Sequence, residues 1–273
     1  MAIRIHRHLL IPWRSLRRLA SYSFLGESHM LNLTREQCCD RVQAAIHRAT
    51  GDAVYSGPFA GMRMTSFARP YYLLGTYELE LHPVLGELKG NYFDSIINVG
   101  AGDGYYAVGF ASLLPRVKPI VVFELLPGPL GSIIEMAKRN GCAARIIPVS
   151  GRCGQVELNS ATQYGDNLHL VFMDCEGDEK ILLDPTAVPG LRYCHIIVEL
   201  HEFIHKGITE EIRGRFSASH NITEVWSRPR TLADLPFTPD AADFTDELKP
   251  FYVQTIDENR PVDMPWFYME PKA

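Results

Sequence analysis

Apolar runs of strand length alternate with segments of helical periodicity along most of this chain. The predicted core strands are 94–99, 119–124, 145–149, 169–174, 195–199, 222–226 and 266–269, with a short extra strand at Gly154–Leu158. The predicted helices are 34–47, 71–88 in whole or in part, 128–140 and 208–216. Strands that alternate with helices form a mostly parallel sheet through right-handed crossovers. The pattern therefore predicts a three-layer α/β fold with a doubly wound, mostly parallel sheet.

Residues 1–90 are predicted to form a helical extension and cover, and residues 91–273 the main domain. A capping box at Thr34 and Gln37 begins the helix at 34–47, and 54–64 is predicted to be a turn or hairpin over the domain. A basic amphipathic helix is predicted before the first acidic residue, with Arg4, Arg7, Arg14, Arg17 and Arg18 among apolar residues. We expect it to pack on the domain or on a second copy of the chain, with membrane contact the less favoured alternative.

Composition and charge narrow the function classes. The chain has 273 residues and a hydrophobic content of 46%, enough to bury a full core. Its formal net charge of −5 disfavours a nucleic-acid partner, because such binding needs a concentrated basic face. No apolar run reaches membrane-spanning length, and the six cysteines form no C-x-x-C pair. We therefore expect a cytoplasmic protein with reduced thiols.

A glycine-rich turn follows the first core strand. Gly100, Gly102 and Gly104 allow unusual backbone angles and a close approach of a ligand to the helix that starts there. Glu124 ends the next strand, where a carboxylate accepts ribose hydroxyls. The pattern predicts a nucleoside site. The third glycine of a dinucleotide fingerprint would fall at Tyr105, which disfavours a nicotinamide-dependent oxidoreductase but leaves it as an alternative.

Acidic residues are concentrated after the fourth and fifth core strands. One strand runs into Asp174-Cys-Glu-Gly-Asp-Glu179 and the other into Glu199-Leu-His-Glu202. Open α/β sheets bind ligands at the carboxyl ends of their strands, so we expect these groups to share one rim. Like charges that lie close together raise one another's pKa or bind a cation. This rim is the predicted catalytic site.

Four motifs together resemble the FkbM-like family of class I S-adenosylmethionine-dependent methyltransferases. They occur in the expected order between Gly57 and Glu202, and they are Gly75-Thr-Tyr-Glu78, Ile97-Asn-Val-Gly-Ala-Gly-Asp-Gly-Tyr-Tyr106, Met173-Asp-Cys-Glu-Gly-Asp-Glu179 with Leu182, and Val198-Glu-Leu-His-Glu202. The resemblance implies a seven-stranded Rossmann-like sheet, S-adenosylmethionine as methyl donor, and O-methylation of a hydroxyl on a sugar or other small molecule. Asn98 departs from the family pattern, which usually has aspartate there.

The resemblance also assigns roles to individual residues. The cofactor-binding residues that it implies are Glu78, Asn98, Gly100, Gly102, Gly104, Tyr105, Glu124, Ser150 and Asp174. His201 has a suitable intrinsic pKa for a general base, and Asp174, Glu199 and Glu176 are the other predicted catalytic residues. The same four side chains are candidate ligands for Mg²⁺ or Mn²⁺, although their spacing does not require a metal.

Specificity for the acceptor is expected to come from the N-terminal cover and from the segment before Trp266. The long proline-containing segment before the last strand is predicted to be a lid or an inserted helix pair. Its aromatic residues can stack on an acceptor or pack in the core, and they are Phe237, Phe244, Phe251 and Tyr252. A homo-oligomer is a further expectation. Because Asn98 carries no charge for the cofactor's ammonium group, a cofactor-binding protein without turnover is also an alternative.

Overall fold

The computed structural model describes residues 33–65, 68–163, 168–260 and 262–272. The strands are β1 (Ser95–Val99), β2 (Ile120–Glu124), β3 (Ile146–Ser150), β4 (His169–Met173), β5 (His195–Glu199), β6 (His220–Trp226) and β7 (Pro265–Pro271). The α-helices of the described residues are α1 (Arg35–Thr50), α2 (Pro70–Leu74), α3 (His82–Leu88), α4 (Tyr105–Leu113), α5 (Pro127–Arg139), α6 (Gln155–Thr162), α7 (Glu179–Leu182), α8 (Ile208–Phe216) and α9 (Lys249–Ile256).

The seven strands form one sheet in the order β3-β2-β1-β4-β5-β7-β6. Neighbouring strands from β3 to β5 are parallel, whereas β7 runs antiparallel to both β5 and β6. The predicted seven-stranded, mostly parallel, doubly wound α/β fold is therefore confirmed. None of the helices in the described part of the chain is long and apolar enough to cross a membrane.

Helices cover both faces of the sheet, and each face has its own apolar core. Successive residues of a strand point to opposite faces. Ile96 of β1 packs in the same cluster as Phe110 of α4, and Ile97 packs with Ile212 of α8 on the opposite face. Both faces of β1, β4 and β5 are buried, as expected for central parallel strands.

The strand order changes direction beside β1. The chain proceeds from β1 through β2 to β3 on one side and then returns to place β4 on the other side of β1. Val99 lies opposite Phe123 in β2 and Met173 in β4, so these three strands end at the same edge. The crevice at such a switch point is where open α/β sheets bind their ligands. This edge carries the glycine turn, Glu124 and Asp174.

The described residues before β1 form helical and turn elements. The capping box of α1 at Thr34 and Gln37 is present, and an isolated bridge between Ala53 and Arg63 closes the turn that follows. The segment 71–88 is half helical, as predicted, with α2, a short 3₁₀ turn and α3. The predicted basic helix lies outside the described residues, and the division at residue 90 stays a prediction.

The predicted strand at Gly154–Leu158 is wrong, because this segment begins α6. Its alternating apolar residues suggested a strand, but Val156 is 75% exposed while Leu158 and Thr162, four residues apart, are buried. That spacing marks one face of a helix. The Glu157 carboxylate accepts a hydrogen bond from the backbone N–H of Gly154 at 3.0 Å, which caps the first turn.

The connection between β6 and β7 contains α9 and two short 3₁₀ turns. Contacts join α9 to α1 and α2, so the connection packs on the elements before β1. Tyr252 is fully buried and lies edge-on to Phe237 and Phe244. These aromatic side chains pack against one another. The six cysteines are free thiols.

Candidate functional site

The three glycines of the turn after β1 have different surroundings, although all have positive φ angles. A Cβ atom on Gly100 would lie 1.8 Å from the backbone oxygen of Asp174, and one on Gly104 would lie 2.8 Å from Ile133. These two glycines therefore allow the turn to pack against β4 and α5. A Cβ atom on Gly102 would meet nothing within 4 Å. Gly102 is the glycine that faces open space.

Glu124 connects the turn to the end of β2. Its Oε2 accepts a hydrogen bond from the backbone N–H of Gly102 at 2.9 Å, and its Oε1 accepts one from Leu126 at 2.8 Å. A carboxylate has about four acceptor positions, so two remain. Ser150 lies opposite Glu124 at the end of β3 and is exposed. The predicted residues Gly102, Glu124 and Ser150 thus lie at one edge of the sheet.

Two other predicted cofactor residues lie in the interior. The ring of Tyr105 packs edge-on to Phe59 at 5.2 Å between centroids and stacks on Tyr72 at 4.7 Å. Burial raises the pKa of the Tyr105 phenol. Asn98 is fully buried, and its Nδ2 donates weakly to the Phe172 carbonyl at 3.5 Å. The Oδ1 atom of Asn98 has no hydrogen-bond partner in the described part of the chain.

Carboxylates from three parts of the chain meet at the ends of β4 and β5. We call Glu78, Asp174, Glu176, Glu179 and Glu199 the acidic cluster. Donor atoms of Glu78, Asp174 and Glu199 lie within 4.8 Å of one another, as do those of Asp174, Glu179 and His201. The prediction that the acidic residues after β4 and β5 share one rim is confirmed for the members of the cluster. Glu202 is an exception, because it accepts hydrogen bonds from the backbone N–H groups of Gly207 and Thr209. Asp178 is another, because it pairs with the exposed Arg152.

The cluster has a buried side and an exposed side. Glu78 and Glu179 are fully buried, and Glu199 is nearly so. The side chain of Asp174 is 25% exposed and that of Glu176 is 79% exposed. Asp174 also contacts the glycine turn through its backbone, next to Gly100. The exposed side therefore adjoins the glycine turn.

Arg260 is the main cation on the buried side. Its guanidinium lies 2.6 Å from Oε1 of Glu78 and 2.7 Å from Oε2 of Glu258, and it also pairs with Oε1 of Glu199. Tyr106 donates its hydroxyl to the other oxygen of Glu78. Buried carboxylates need such partners, because an unpaired buried charge is strongly destabilising.

Burial perturbs the proton affinity of the cluster. It raises the pKa of Glu78, Asp174 and Glu199 to about 8 in each case, and neighbouring carboxylates add to the effect. The charge of Glu199 acts on Glu78, and that of Asp174 acts on Glu199. Arg260 opposes these effects without cancelling them. Groups shifted this far are enriched at functional sites.

His201 lies at the centre of the cluster and is 2% exposed. Its Nδ1 is 3.0 Å from Oε1 of Glu179. Burial lowers its pKa, but the hydrogen-bonding and charge of Glu179 outweigh burial, so the pKa is raised. A histidine that holds its proton donates it more readily than it accepts one. The predicted general-base role stays a prediction that this environment does not favour.

Sequence reasoning missed the residues that the β6–β7 connection contributes. Arg260 and Glu258 follow α9 and reach the buried side of the cluster. Arg230 pairs with Glu258 at 2.5 Å and with Glu80 at 2.8 Å. No motif marks them, and their only signal is a long connection with charged residues among the prolines. A cavity of about 120 Å³ lined by Arg230, Glu258 and Arg260 is too small for a nucleoside ligand, which needs roughly 300 Å³ or more.

Comparison with known proteins finds similarity of structure alone. No family model and no curated protein matches the chain. The O-methyltransferase TomG from Streptomyces achromogenes, in complex with S-adenosylmethionine, is 12% identical, with 88% of this chain and 92% of that chain covered and a TM-score of 0.45. Precorrin-6y C5,15-methyltransferase from Geobacter metallireducens GS-15 is 13% identical, with 71% and 89% covered and a TM-score of 0.46.

A third similar structure is precorrin 8w decarboxylase from Methanobacterium thermoautotrophicum, at 17% identity, 70% and 89% coverage and a TM-score of 0.42. Likenesses at this level carry no functional conclusion. The resemblance to the FkbM-like family stays a prediction.

Proposed function

We propose that this protein is an S-adenosylmethionine-dependent methyltransferase that methylates a hydroxyl of a sugar or other small molecule. The observation that carries the proposal is the open face of Gly102 beside Glu124, at a switch point that adjoins the acidic cluster. A ligand seated there would have a nucleoside-binding turn on one side and carboxylates on the other.

The turn side suits an adenosyl group. Glu124 retains acceptor positions for ribose hydroxyls, and its two backbone hydrogen bonds hold it in place. Leu125 and Leu126, which follow it, are 62% and 58% exposed. Large exposed apolar side chains beside a polar anchor are typical of a small-molecule site. They offer a surface for the flat face of a base.

The carboxyl groups at the exposed side of the cluster favour a cationic ligand over an anionic one. S-Adenosylmethionine carries a sulfonium and an ammonium group, whereas a nicotinamide dinucleotide carries an anionic pyrophosphate. The nearest rim residues, Asp174 and Glu176, are acidic, and neither has a Lys or Arg within 4.0 Å in the described part of the chain. The buried Oδ1 of Asn98 is a further acceptor, and it has no partner among the residues that the structure describes. The site therefore supports the cationic cofactor over the oxidoreductase alternative.

The strand order beyond β5 also disfavours the oxidoreductase alternative. In the dinucleotide-binding fold, the sixth strand continues the order 3-2-1-4-5-6 of a parallel sheet. Here an antiparallel β7 lies between β5 and β6. The buried position of Tyr105, where the dinucleotide fingerprint has glycine, adds to this difference.

When bound, S-adenosylmethionine would supply a methyl group already activated by its sulfonium. The residues of the chain then have to align the acceptor and remove its proton. Alignment alone contributes about 7–11 kcal/mol in favourable cases. Asp174 and Glu176 are the carboxylates of the cluster that reach the exposed side, so either one can accept the proton from a hydroxyl bound there. His201 is enclosed behind them.

The test is binding followed by turnover. Calorimetric titration of the purified chain should give heat with S-adenosylmethionine and none with NAD⁺. Incubation with a panel of sugars and phenols should then yield a product heavier by one methyl group in mass spectrometry. Binding without any methylated product would favour the non-catalytic alternative, and heat with NAD⁺ alone would favour the oxidoreductase.

A further inference from the structure

The two ring nitrogens of His201 have different neighbours. Nδ1 faces Glu179, whereas Nε2 lies 3.6 Å from an oxygen of Asp174, of Glu176 and of Glu199. None of these three distances is within hydrogen-bonding range. Within the described residues no hydrogen bond to Nε2 is formed, although the side chain is 2% exposed. The Nε2 atom of this buried side chain thus lies near three carboxylates without bonding to any of them.

We propose that a divalent metal ion binds between Nε2 of His201 and the carboxylates of Asp174 and Glu199, with Glu176 at the exposed side. Metal–nitrogen and metal–oxygen bonds are about 2.0–2.2 Å long. Two ligands of one ion at ordinary coordination angles are therefore roughly 3.0–3.6 Å apart. The three nitrogen–oxygen distances of 3.6 Å match the upper end of this spacing.

The position of Glu179 matches that of the carboxylate that usually supports a histidine ligand of a metal ion. Histidine ligands usually donate their other ring N–H to a carboxylate, which fixes the tautomer and the ring orientation. Glu179 is in this position at 3.0 Å from Nδ1 and is fully buried. The backbone N–H of Cys175 donates to the same Glu179 oxygen at 2.9 Å and holds it. An ion that displaces the Nε2 proton would then bind this nitrogen on the side of the cluster.

No side-chain cation of the described residues already fills this position. Arg260 pairs with Oε1 of Glu199, which leaves Oε2 facing His201. Asp174 and Glu176 have His201 as their only cationic neighbour among the described residues. Oδ1 of Asp174 is buried and has no hydrogen-bond partner there. The exposed side of the cluster thus presents carboxyl oxygens that no Lys or Arg of the described residues pairs with.

A set of one imidazole and several carboxylates suits Mn²⁺ better than Mg²⁺ or Ca²⁺, which prefer oxygen ligands alone. The ion would hold an acceptor hydroxyl and lower its pKa, as metal ions do for bound water. That catalytic role rests on the proposed function, whereas binding of the ion does not. Its position beside the glycine turn places it at the exposed side of the cluster.

The experiment titrates Mn²⁺ alone into chelator-treated full-length protein, followed by calorimetry and electron paramagnetic resonance. We expect one site in the wild type. His201→Ala should weaken binding by more than about 100-fold, and Glu179→Gln by about 10- to 100-fold through loss of the ring's orientation. Asp178→Asn is the matched control, since Asp178 is a neighbouring acid paired with the exposed Arg152. It should leave the affinity within about threefold, as expected for a residue outside the coordination shell.

Asp174→Asn provides a second ligand variant if His201→Ala does not fold, because its side chain is partly exposed. The proposal is overturned if the wild type takes up no Mn²⁺, or if the control loses as much affinity as the ligand variants. S-Adenosylmethionine titration without metal runs in parallel. Cofactor binding without Mn²⁺ binding would overturn the metal site and leave the proposed function intact.

Discussion

Gly102→Ala tests whether Gly102 is needed for ligand binding or only for the backbone conformation of the turn. Gly102 has a φ of +50°, and an added Cβ atom would meet nothing within 4 Å of the protein. The substitution therefore costs only the backbone preference, about 1–2 kcal/mol. For a domain of this size the melting temperature should fall by roughly 2–8 °C. The new methyl group would occupy the space assigned to the cofactor.

Gly141→Ala is the matched control. Gly141 follows α5 with a φ of +66°, and its added Cβ atom also meets nothing within 4 Å. It should show a similar loss of stability with unchanged cofactor affinity. Gly100→Ala is the opposite case, because its Cβ atom would clash with the Asp174 backbone at 1.8 Å, and it should prevent normal folding.

Calorimetry with S-adenosylmethionine and thermal unfolding are measured on the same preparations. We expect Gly102→Ala to weaken cofactor binding by at least about tenfold, equal to 1.4 kcal/mol. Equal cofactor affinity in Gly102→Ala, Gly141→Ala and wild type would refute the reasoning, because the open face of the turn would then not contact the ligand.

Three further substitutions test the contacts around the site. Glu124→Gln should lower the free energy of unfolding by about 1–3 kcal/mol, because the amide puts an N–H donor where a carboxylate accepts two backbone N–H groups; unchanged urea unfolding would contradict this. Arg260→Ala should lower the free energy of unfolding by about 3–5 kcal/mol, because it leaves buried carboxylates unpaired. Arg152→Ala, which removes an exposed ion pair, should lower it by about 0–1 kcal/mol. Equal unfolding midpoints of the two variants in urea would count against the buried network. Gly109→Ala should lose about 1–3 kcal/mol despite better helix propensity, because its Cβ atom would lie 2.5 Å from the Phe59 ring; a higher melting temperature would rule out the clash.

The sequence was sufficient to predict the elements that carry the site. Apolar runs gave the seven core strands, and the glycine turn, Glu124 and the residues after β4 and β5 were predicted at one edge. These predictions depend on local pattern and on a general rule for parallel sheets. A single sequence therefore contains enough information for them.

The missing parts depend on long-range packing. Arg260 joins the cluster across 182 residues from Glu78, a contact that no local pattern encodes. Residues 154–158 are too few to separate the strand period from the helical period, and the helix shows only in the burial of Leu158 beside the exposed Val156. Tyr105 was expected at the cofactor because of its place in the motif, but its ring turns into an aromatic cluster.

The most direct test of the central claim is the comparison of two nucleoside cofactors on one sample. Calorimetric titration of the purified wild-type chain with S-adenosylmethionine should show saturable binding, and titration with NAD⁺ should show none. Saturable binding of NAD⁺, or no binding of either molecule, would contradict the assignment of the Gly102–Glu124 edge to an adenosyl cofactor with a positive charge.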